Sequence, residues 1–436
     1  MRLPLSRTSL LPKAPHLHFS PCSRSTIREL HTRSAQLSGS PLSTMRSLNY
    51  YCDVEAEPLD RYSPGGYHPV HLGDIFNDGR YRVLQKLGFG GFSTVWVARD
   101  RLMNRYVALK IVVSRASPDN RESRTLQTLA RINKSSHPGC KHIVRLLDDF
   151  SHAGPNGTHR CLVFELLGPS VATAIEEIFP DSRLPGVLAT RVCKEMLLAV
   201  DFLQEQNIGH GDLHTRNIAF TIPSLDSISE EALLDRLGSP RTGLIRAFDE
   251  EPLPPGIPRY LVWPADTPAD KASLETSIKL IDFGESFLPG NRPQTLHTPL
   301  ALRAPELLLG HEWDSRVDLW ASGCAMFELV VGQPPFSGIM AQKGDIIQQM
   351  VHTVGDLPAE WQSSWDSMLK QEPVDEMSYN LEQLLQELYF DDERAADFSR
   401  QDLTQLAHLI GKLLRYSPST RCTAAEILSA TWFGNV

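Results

Sequence analysis

Ile208-Gly209-His210-Gly211-Asp212-Leu213-His214-Thr215-Arg216-Asn217 is the stretch on which the reading of the chain turns. It places a carboxylate and an amide close together beside histidines. A second string, Leu280-Ile281-Asp282-Phe283-Gly284, adds another carboxylate at the end of an apolar run. Such oxygens are hard ligands suited to Mg²⁺, and a carboxylate can also accept the proton of a hydroxyl nucleophile. Upstream stands Leu87-Gly88-Phe89-Gly90-Gly91-Phe92-Ser93-Thr94-Val95-Trp96. Gly88 and Gly90 let the backbone approach phosphate oxygens without Cβ obstruction. A hairpin turn would use glycines too, and Ser93 stands where a third glycine is usual. In Val107-Ala108-Leu109-Lys110 an apolar strand ends in a lysine. Such an ammonium either snorkels at an edge or needs an anionic partner when buried. Glu122 is the candidate, because Leu126 and Leu129 follow it at helical spacing and it faces inward with them. Downstream come Arg303-Ala304-Pro305-Glu306, Asp318-Leu319-Trp320 and Arg421.

The rest of the chain bounds this reading. Of 436 residues, 41% are hydrophobic and 22% charged, the proportions of a globular protein and not of a fibre or a disordered chain. No uncharged apolar run reaches the ~18 residues of a membrane span. The longest, Leu319 to Phe336, is broken by Ser322, Gly323 and Glu328 and reads as a core helix. Seven scattered cysteines without a C-x-x-C pair fit neither a disulfide framework nor a zinc ribbon, and suit a reducing compartment. The net charge is −9, yet residues 1–52 hold seven Lys or Arg against one acid, Glu29, so the body is more acidic than the whole. An acidic body disfavours duplex DNA; it suits solubility or a basic protein partner.

Residues 1–60 read as a disordered or targeting segment. The composition of 1–52 is that of a plain tail or of a mitochondrial transit peptide, Pro4, Pro12, Pro15 and Pro21 break helical periodicity, and Met45 offers an alternative start. Order is expected from about Tyr62. Strands are predicted at 81–86, 93–99, 105–112, 144–150 and 161–165, with a helix over 119–133. Beyond 169 helices dominate, clearest at 187–207, 316–332 and 402–415. Residues 224–277, with seven prolines and three glycines, read as a surface insertion holding one short helix near 229–237.

The order and spacing of these strings match the protein-kinase signature: Gly-rich loop, strand Lys, helix Glu, H-x-D-x-x-x-x-N, D-F-G and A-P-E. The chain resembles eukaryotic protein kinases over about 81–433. Tyr67-His68-Pro69-Val70 with Gly73-Asp74, ahead of Gly79-Arg80-Tyr81, and the string Phe92-Ser93-Thr94-Val95-Trp96, resemble the SR-protein kinases and especially their fungal members. The resemblance implies an α+β bilobal fold, N-lobe 81–167 and C-lobe 168–433, with 224–277 as a spacer inside the kinase domain. It implies a protein serine/threonine kinase that moves the γ-phosphoryl of Mg·ATP to Ser/Thr hydroxyls, expected in Arg/Ser-rich proteins of mRNA processing. ATP would lie against Leu87, Gly88, Gly90, Val95, Ala108, Lys110, Glu165 and Leu167, with Phe164 as gatekeeper. Lys110 pairs with Glu122, Asp212 receives or orients the acceptor proton, Asn217 and Asp282 hold Mg²⁺, and Glu306 pairs with Arg421. A monomer without nucleic-acid or membrane partners, in the cytoplasm or nucleus, is expected, with mitochondria as the alternative from the N-terminal composition.

Three positions depart from the family pattern. Gly211 replaces the Arg that answers an activation-loop phosphate, which implies activity without that switch. His214 stands where Lys is usual, and Arg216 is the candidate to bring the missing charge to the γ-phosphate. Pro299 holds the position of the usual Thr, with Thr298 one residue earlier. Arg216 with Pro299 is the tyrosine-kinase arrangement, so a tyrosine or dual acceptor stays open. A pseudokinase scaffold and a small-molecule kinase are the rival classes. The acidic substrate-docking positions of the family are not evident around Lys343 to Asp345.

Overall fold

The computed structural model describes residues 49–116, 120–132, 137–179, 182–265, 276–288, 290–337, 341–368, 379–390 and 396–434. The tail-or-transit reading falls on residues outside these, apart from its last few positions. Tyr50–Val436 forms one unit. Among the described residues no helix is long and apolar enough to cross a membrane.

In chain order the strands are β1 (Tyr50–Tyr51), β2 (Ile75–Phe76), β3 (Tyr81–Gly90), β4 (Ser93–Asp100), β5 (Arg105–Val112), β6 (Leu146–Gly154), β7 (Gly157–Glu165), β8 (Ile218–Phe220), β9 (Thr242–Leu244), β10 (Arg246–Ala247), β11 (Tyr260–Val262) and β12 (Ile278–Leu280). The helices that matter here are α1 (Arg121–Ile132), α2 (Val171–Ile178), α3 (Gly186–Glu205), α4 (Glu230–Leu237), α5 (Pro305–Leu309), α6 (Val317–Val331), α7 (Lys343–Val354), α8 (Leu381–Tyr389) and α9 (Arg400–Leu413).

The small lobe is a six-stranded antiparallel sheet in the order β2-β3-β4-β5-β7-β6. Its alternating Val, Leu and Ile residues place Val83, Trp96, Ala98, Val107, Leu109, Ile111 and Val163 in one buried cluster, the period-2 consequence of a half-buried strand. β3 runs on through Gly88 and Gly90, beyond the expected end at Lys86, because the tip pairs Gly88 with Val95 and Gly90 with Ser93. The large lobe is helical. In α3, Ala189, Val192, Cys193, Met196, Val200 and Leu203 are buried at helical spacing. α6 is buried almost all round, as its mostly apolar sequence demands. It stops at Gly332, whose φ of +92° and lack of Cβ space against Ser182 O admit only glycine.

Two expectations are corrected. Order does not begin at Tyr62: β1 pairs with β10, and Glu57 is buried. Residues 224–277 are not a bare excursion. Their ends meet where Thr221 N–H donates to Ser277 O at 2.7 Å, and between them the insertion packs on the small lobe. Leu233 and Leu237 of α4 join Leu84, Val97 and Tyr106 in one cluster. Glu230 pairs with Arg82, Asp226 accepts from Tyr106 N–H at 3.0 Å, and Tyr260 Oη accepts from Leu72 N–H at 3.0 Å. Val262 enters the sheet's core. The prolines hid this packing, since they break the apolar residues into runs too short to show a period.

A fully buried ion pair ties the early segment to β3: Lys86 Nζ meets the Glu57 carboxylate, donates to Val262 O at 3.1 Å, and lies 5.0 Å from the Trp96 ring centroid. Elsewhere in the lobe three imidazoles crowd together, His68 with His152 at 4.7 Å and with His159 at 5.0 Å between ring centroids. Burial, then the two neighbouring rings, lowers the His68 pKa to about 3, with Asp74 opposing; burial lowers His152 and His159 too. A histidine held neutral in the fold contributes stability that is complete above its unfolded pKa of about 6.5 and is lost as pH falls toward the folded value. Urea unfolding at stepped pH should therefore lose on the order of 1 kcal/mol per pH unit from this cluster below about 6.5. The slope should be shallower in His68→Leu; an identical slope in that variant would exclude the cluster as its source.

Candidate active site

The site lies where β3, β4, β5 and α1 face the catalytic-loop string and the segment after β12. Lys110 projects from β5, and its ammonium donates to Glu122 Oε2 at 2.7 Å, Glu122 Oε1 at 2.9 Å and Asp282 Oδ1 at 2.9 Å. Glu122 is buried in the first turn of α1, where Asn120 Oδ1 accepts from Ser123 N–H at 2.8 Å and fixes the helix start. Burial alone would lower the Lys110 pKa, but Asp282 and Glu122 outweigh it and raise it. The Lys110 charge in turn holds the Asp282 carboxyl below the usual carboxylate range. Asp282 sits at φ +59°, an uncommon conformation for a residue with a side chain, and its side chain is 51% exposed to the cleft.

The catalytic-loop string is pinned from beneath. Asp318 of α6 accepts from His210 N–H at 2.6 Å and Gly211 N–H at 2.9 Å, and burial raises its pKa. His210 Nε2 bonds Ile281 O at 3.0 Å, so the loop and the D-F-G string share one support. Asn217 Nδ2 donates to Asp212 O at 2.9 Å and Oδ2 at 3.2 Å, so its amide nitrogen is committed to the loop and its Oδ1 is the atom suited to a cation. Asp212 Oδ1 is buried with no hydrogen-bond partner among the described residues. A buried carboxylate oxygen without a donor is costly and is the natural acceptor for an incoming hydroxyl.

The glycine loop is open: a Cβ built at Gly88 or at Gly90 meets nothing within 4 Å. Leu87 and Val95 are half-buried beside it. In the same sheet Ala108 pairs with Phe164, and both it and Leu167 pack against the large-lobe core. Glu165 is tied by Lys279 at 2.8 Å and accepts from Arg145 N–H at 2.9 Å. These residues fit a nucleotide: apolar walls, an open glycine turn, one lysine, and Asp282 and Asn217 oxygens for a divalent cation. Among the described residues no cluster of three or more His, Cys, Asp or Glu could hold a metal by itself, so a cation here would need phosphate oxygens as further ligands, as Mg²⁺ sites commonly do.

Arg216 is placed elsewhere. Its guanidinium donates to Glu176 of α2 at 2.5 Å, both side chains half exposed, and it makes no hydrogen bond or ion pair with Asp212, Asn217 or Asp282. His214 instead lies 3.5 Å from Asp212 Oδ2 and 3.2 Å from Asn217 Nδ2. Two further residues, to which the sequence reading gave no role, join the site. Thr298 is buried and donates to Gly211 O at 2.6 Å, reaching the catalytic loop although it stands one position off the usual alignment. Arg303 holds Thr298 O at 2.6 Å. Gly211 has φ +78°, and a Cβ there would come within 2.7 Å of Glu285 O, so this backbone excludes a side chain. Behind the site Glu306 of α5 and Arg421 form a bidentate pair at 2.7 and 2.6 Å, fully buried.

Comparison with known proteins gives the same picture. The protein kinase domain family matches residues 81–225 and 269–433, leaving out most of the insertion. A serine/threonine protein kinase of Aspergillus fumigatus is 30% identical over 87% of this chain and 90% of its own length. The serine/threonine-protein kinase SRPK of Physarum polycephalum is 28% identical over 88% of this chain and 92% of its own. Protein kinase dsk1 of Schizosaccharomyces pombe is 25% identical over 87% and 85%.

The buried Glu306–Arg421 pair generates a stability prediction. Removing one partner leaves a charge unpaired, at a cost of about 3–5 kcal/mol. Glu306→Ala should lower the unfolding free energy measured in urea by that amount, and Glu306→Ala/Arg421→Met should recover part of it; a double variant no more stable than the single would contradict the pairing account.

Proposed function

The chain belongs to the protein kinase family, and from that premise we propose that it transfers the γ-phosphoryl of Mg·ATP to Ser or Thr hydroxyls of Arg/Ser-rich proteins. The observation that carries the proposal is the Lys110 ammonium held between Glu122 and Asp282, together with an Asp212 oxygen that has no hydrogen-bond partner among the described residues. Phosphoryl transfer asks the protein mainly for positioning and for positive charge against the phosphates. Lys110, oriented by Glu122, binds the α- and β-phosphates. Asp212 Oδ1 orients the acceptor hydroxyl and takes its proton. Asn217 and Asp282 hold the Mg²⁺, which neutralises phosphate charge when bound. Leu87, Gly88, Gly90, Val95, Ala108, Glu165 and Leu167 bind the nucleotide.

Two features support the acceptor class. Thr298 donates to the carbonyl of Gly211, the residue before Asp212, and two relatives that match over most of the chain carry the name serine/threonine protein kinase. The acidic body favours basic substrates over nucleic acid, in line with the SR-protein-kinase resemblance and with a relative that carries the name SRPK. On this reading the enzyme works as a monomer in the cytoplasm or nucleus, where such substrates occur.

Asp282→Ala and Lys110→Ala should each abolish phosphate transfer to an Arg/Ser-repeat peptide while circular dichroism stays native. Near-wild-type transfer by purified Asp282→Ala would end the proposal, and transfer to Tyr but not Ser in a peptide array would move it to the other acceptor class.

The activation segment generates a second test. Glu285 accepts from His297 Nδ1 at 3.0 Å and from His297 N–H at 3.3 Å, and Gly211 offers no cation to a phosphate. The segment is held by its own side chains, so phosphatase treatment should leave the rate unchanged within about two-fold, against the order-of-magnitude losses of phosphate-ordered loops.

A further inference from the structure

The tip of the glycine loop is gripped by residues that lie outside the kinase signature. Gly90 O accepts from Tyr67 Oη at 2.7 Å, and Gly91 O accepts from the Arg61 guanidinium. These are successive carbonyls, and both donors come from one short segment ahead of β2. The Tyr67 ring is buried, with the Arg61 guanidinium 5.2 Å from its centroid.

The segment is itself fixed on every side. Tyr67 N–H donates to Arg61 O at 3.0 Å, and a Cβ on Gly66 would fall 1.9 Å from that same oxygen, so the turn closes only on glycine. Tyr67 O accepts from Asn156 Nδ2 at 2.7 Å, and the same amide donates to Gly256 O of the insertion at 2.8 Å. At the base of the loop strand Lys86 joins Glu57, and Tyr62 Oη donates to the other oxygen of that carboxylate. The insertion adds Ala265 N–H to Lys86 O at 2.8 Å.

We propose that Tyr67 and Arg61 are positioning residues for nucleotide binding, holding the glycine loop in one conformation before ATP arrives; this rests on the reading of Gly88 to Gly91 as the phosphate loop. Glycine-rich backbone has the most conformational freedom to lose on binding, and ordering a loop weakens affinity by that cost. A trans peptide points its C=O and N–H in opposite directions. Fixing the carbonyls of Gly90 and Gly91 on the brace therefore fixes the N–H groups of Gly91 and Phe92 facing away from it.

The test compares wild type, Tyr67→Phe, Arg61→Ala and a control, Tyr416→Phe, which removes a hydroxyl bonded to Gly355 O at 2.8 Å in the large lobe. The readouts are KM for Mg·ATP, kcat on an Arg/Ser-repeat peptide, ATP affinity by calorimetry, and hydrogen exchange at residues 88–92. Tyr67→Phe should raise KM and Kd about five-fold, the worth of one neutral hydrogen bond. Its kcat should stay within about two-fold, and exchange of the loop amides should quicken. The control should leave KM and loop exchange unchanged. Wild-type nucleotide affinity and loop exchange retained in both Tyr67→Phe and Arg61→Ala, whatever their thermal stability, would overturn the inference while the kinase reading stands. A wild-type protein that binds no ATP would overturn the kinase reading first, and the inference with it.

Discussion

One ammonium group sets the register of everything around it. Lys110 meets two carboxylates that arrive from different parts of the chain, Glu122 from α1 and Asp282 from beyond β12, 172 residues away in sequence. A charge buried this deeply persists only when it is paired and hydrogen-bonded, so sheet, helix and loop are placed together or not at all. The Asp318 carboxylate under His210 and Gly211, and the His210–Ile281 bond, fix the opposing side to the same precision.

Much of this was legible in the residues. Lys110 at the end of an apolar strand and Glu122 at the head of an inward-facing helical pattern named each other, because a buried charge leaves few alternatives. The helices α3, α6 and α9 were plain from spacing, and the open glycine turn from composition. Three features were not legible. Arg216 was read from its distance to Asp212 along the chain, but side-chain direction in the short turn after the loop sends it to Glu176, and local spacing carries no information about α2. Thr298 was discounted for standing one residue off the expected position; the irregular backbone before α5 absorbs that offset. The insertion looked like breakers and short apolar scraps, since its order comes from the small lobe's surface and not from any period of its own.

That last point alters how the small lobe is understood. A six-stranded sheet of this size has one face to bury and an outer face that solvent would otherwise reach. Here Leu233 and Leu237 cover Leu84, Val97 and Tyr106, and Val262 enters the opposite cluster beside Trp96. The buried Lys86–Glu57 pair joins the early segment to β3 and, through Val262 O, to the insertion, so both are parts of the lobe's interior. The family match skips most of the insertion, yet its packing is continuous with residues inside the match.

The closure of the insertion at Thr221 and Ser277 has a mechanical side. The chain leaves the large lobe from β8, spreads over the small lobe, and returns to the large lobe at β12. The covalent link at 165–168 is therefore not the sole connection between the lobes, because the described part of the insertion, 224–265, packs on the small lobe as well. The insertion acts as a clasp: Leu233 and Leu237 on Leu84, Val97 and Tyr106, Asp226 on Tyr106 N–H and Glu230 on Arg82 fasten to the small lobe a segment whose start is anchored in the large lobe at β8.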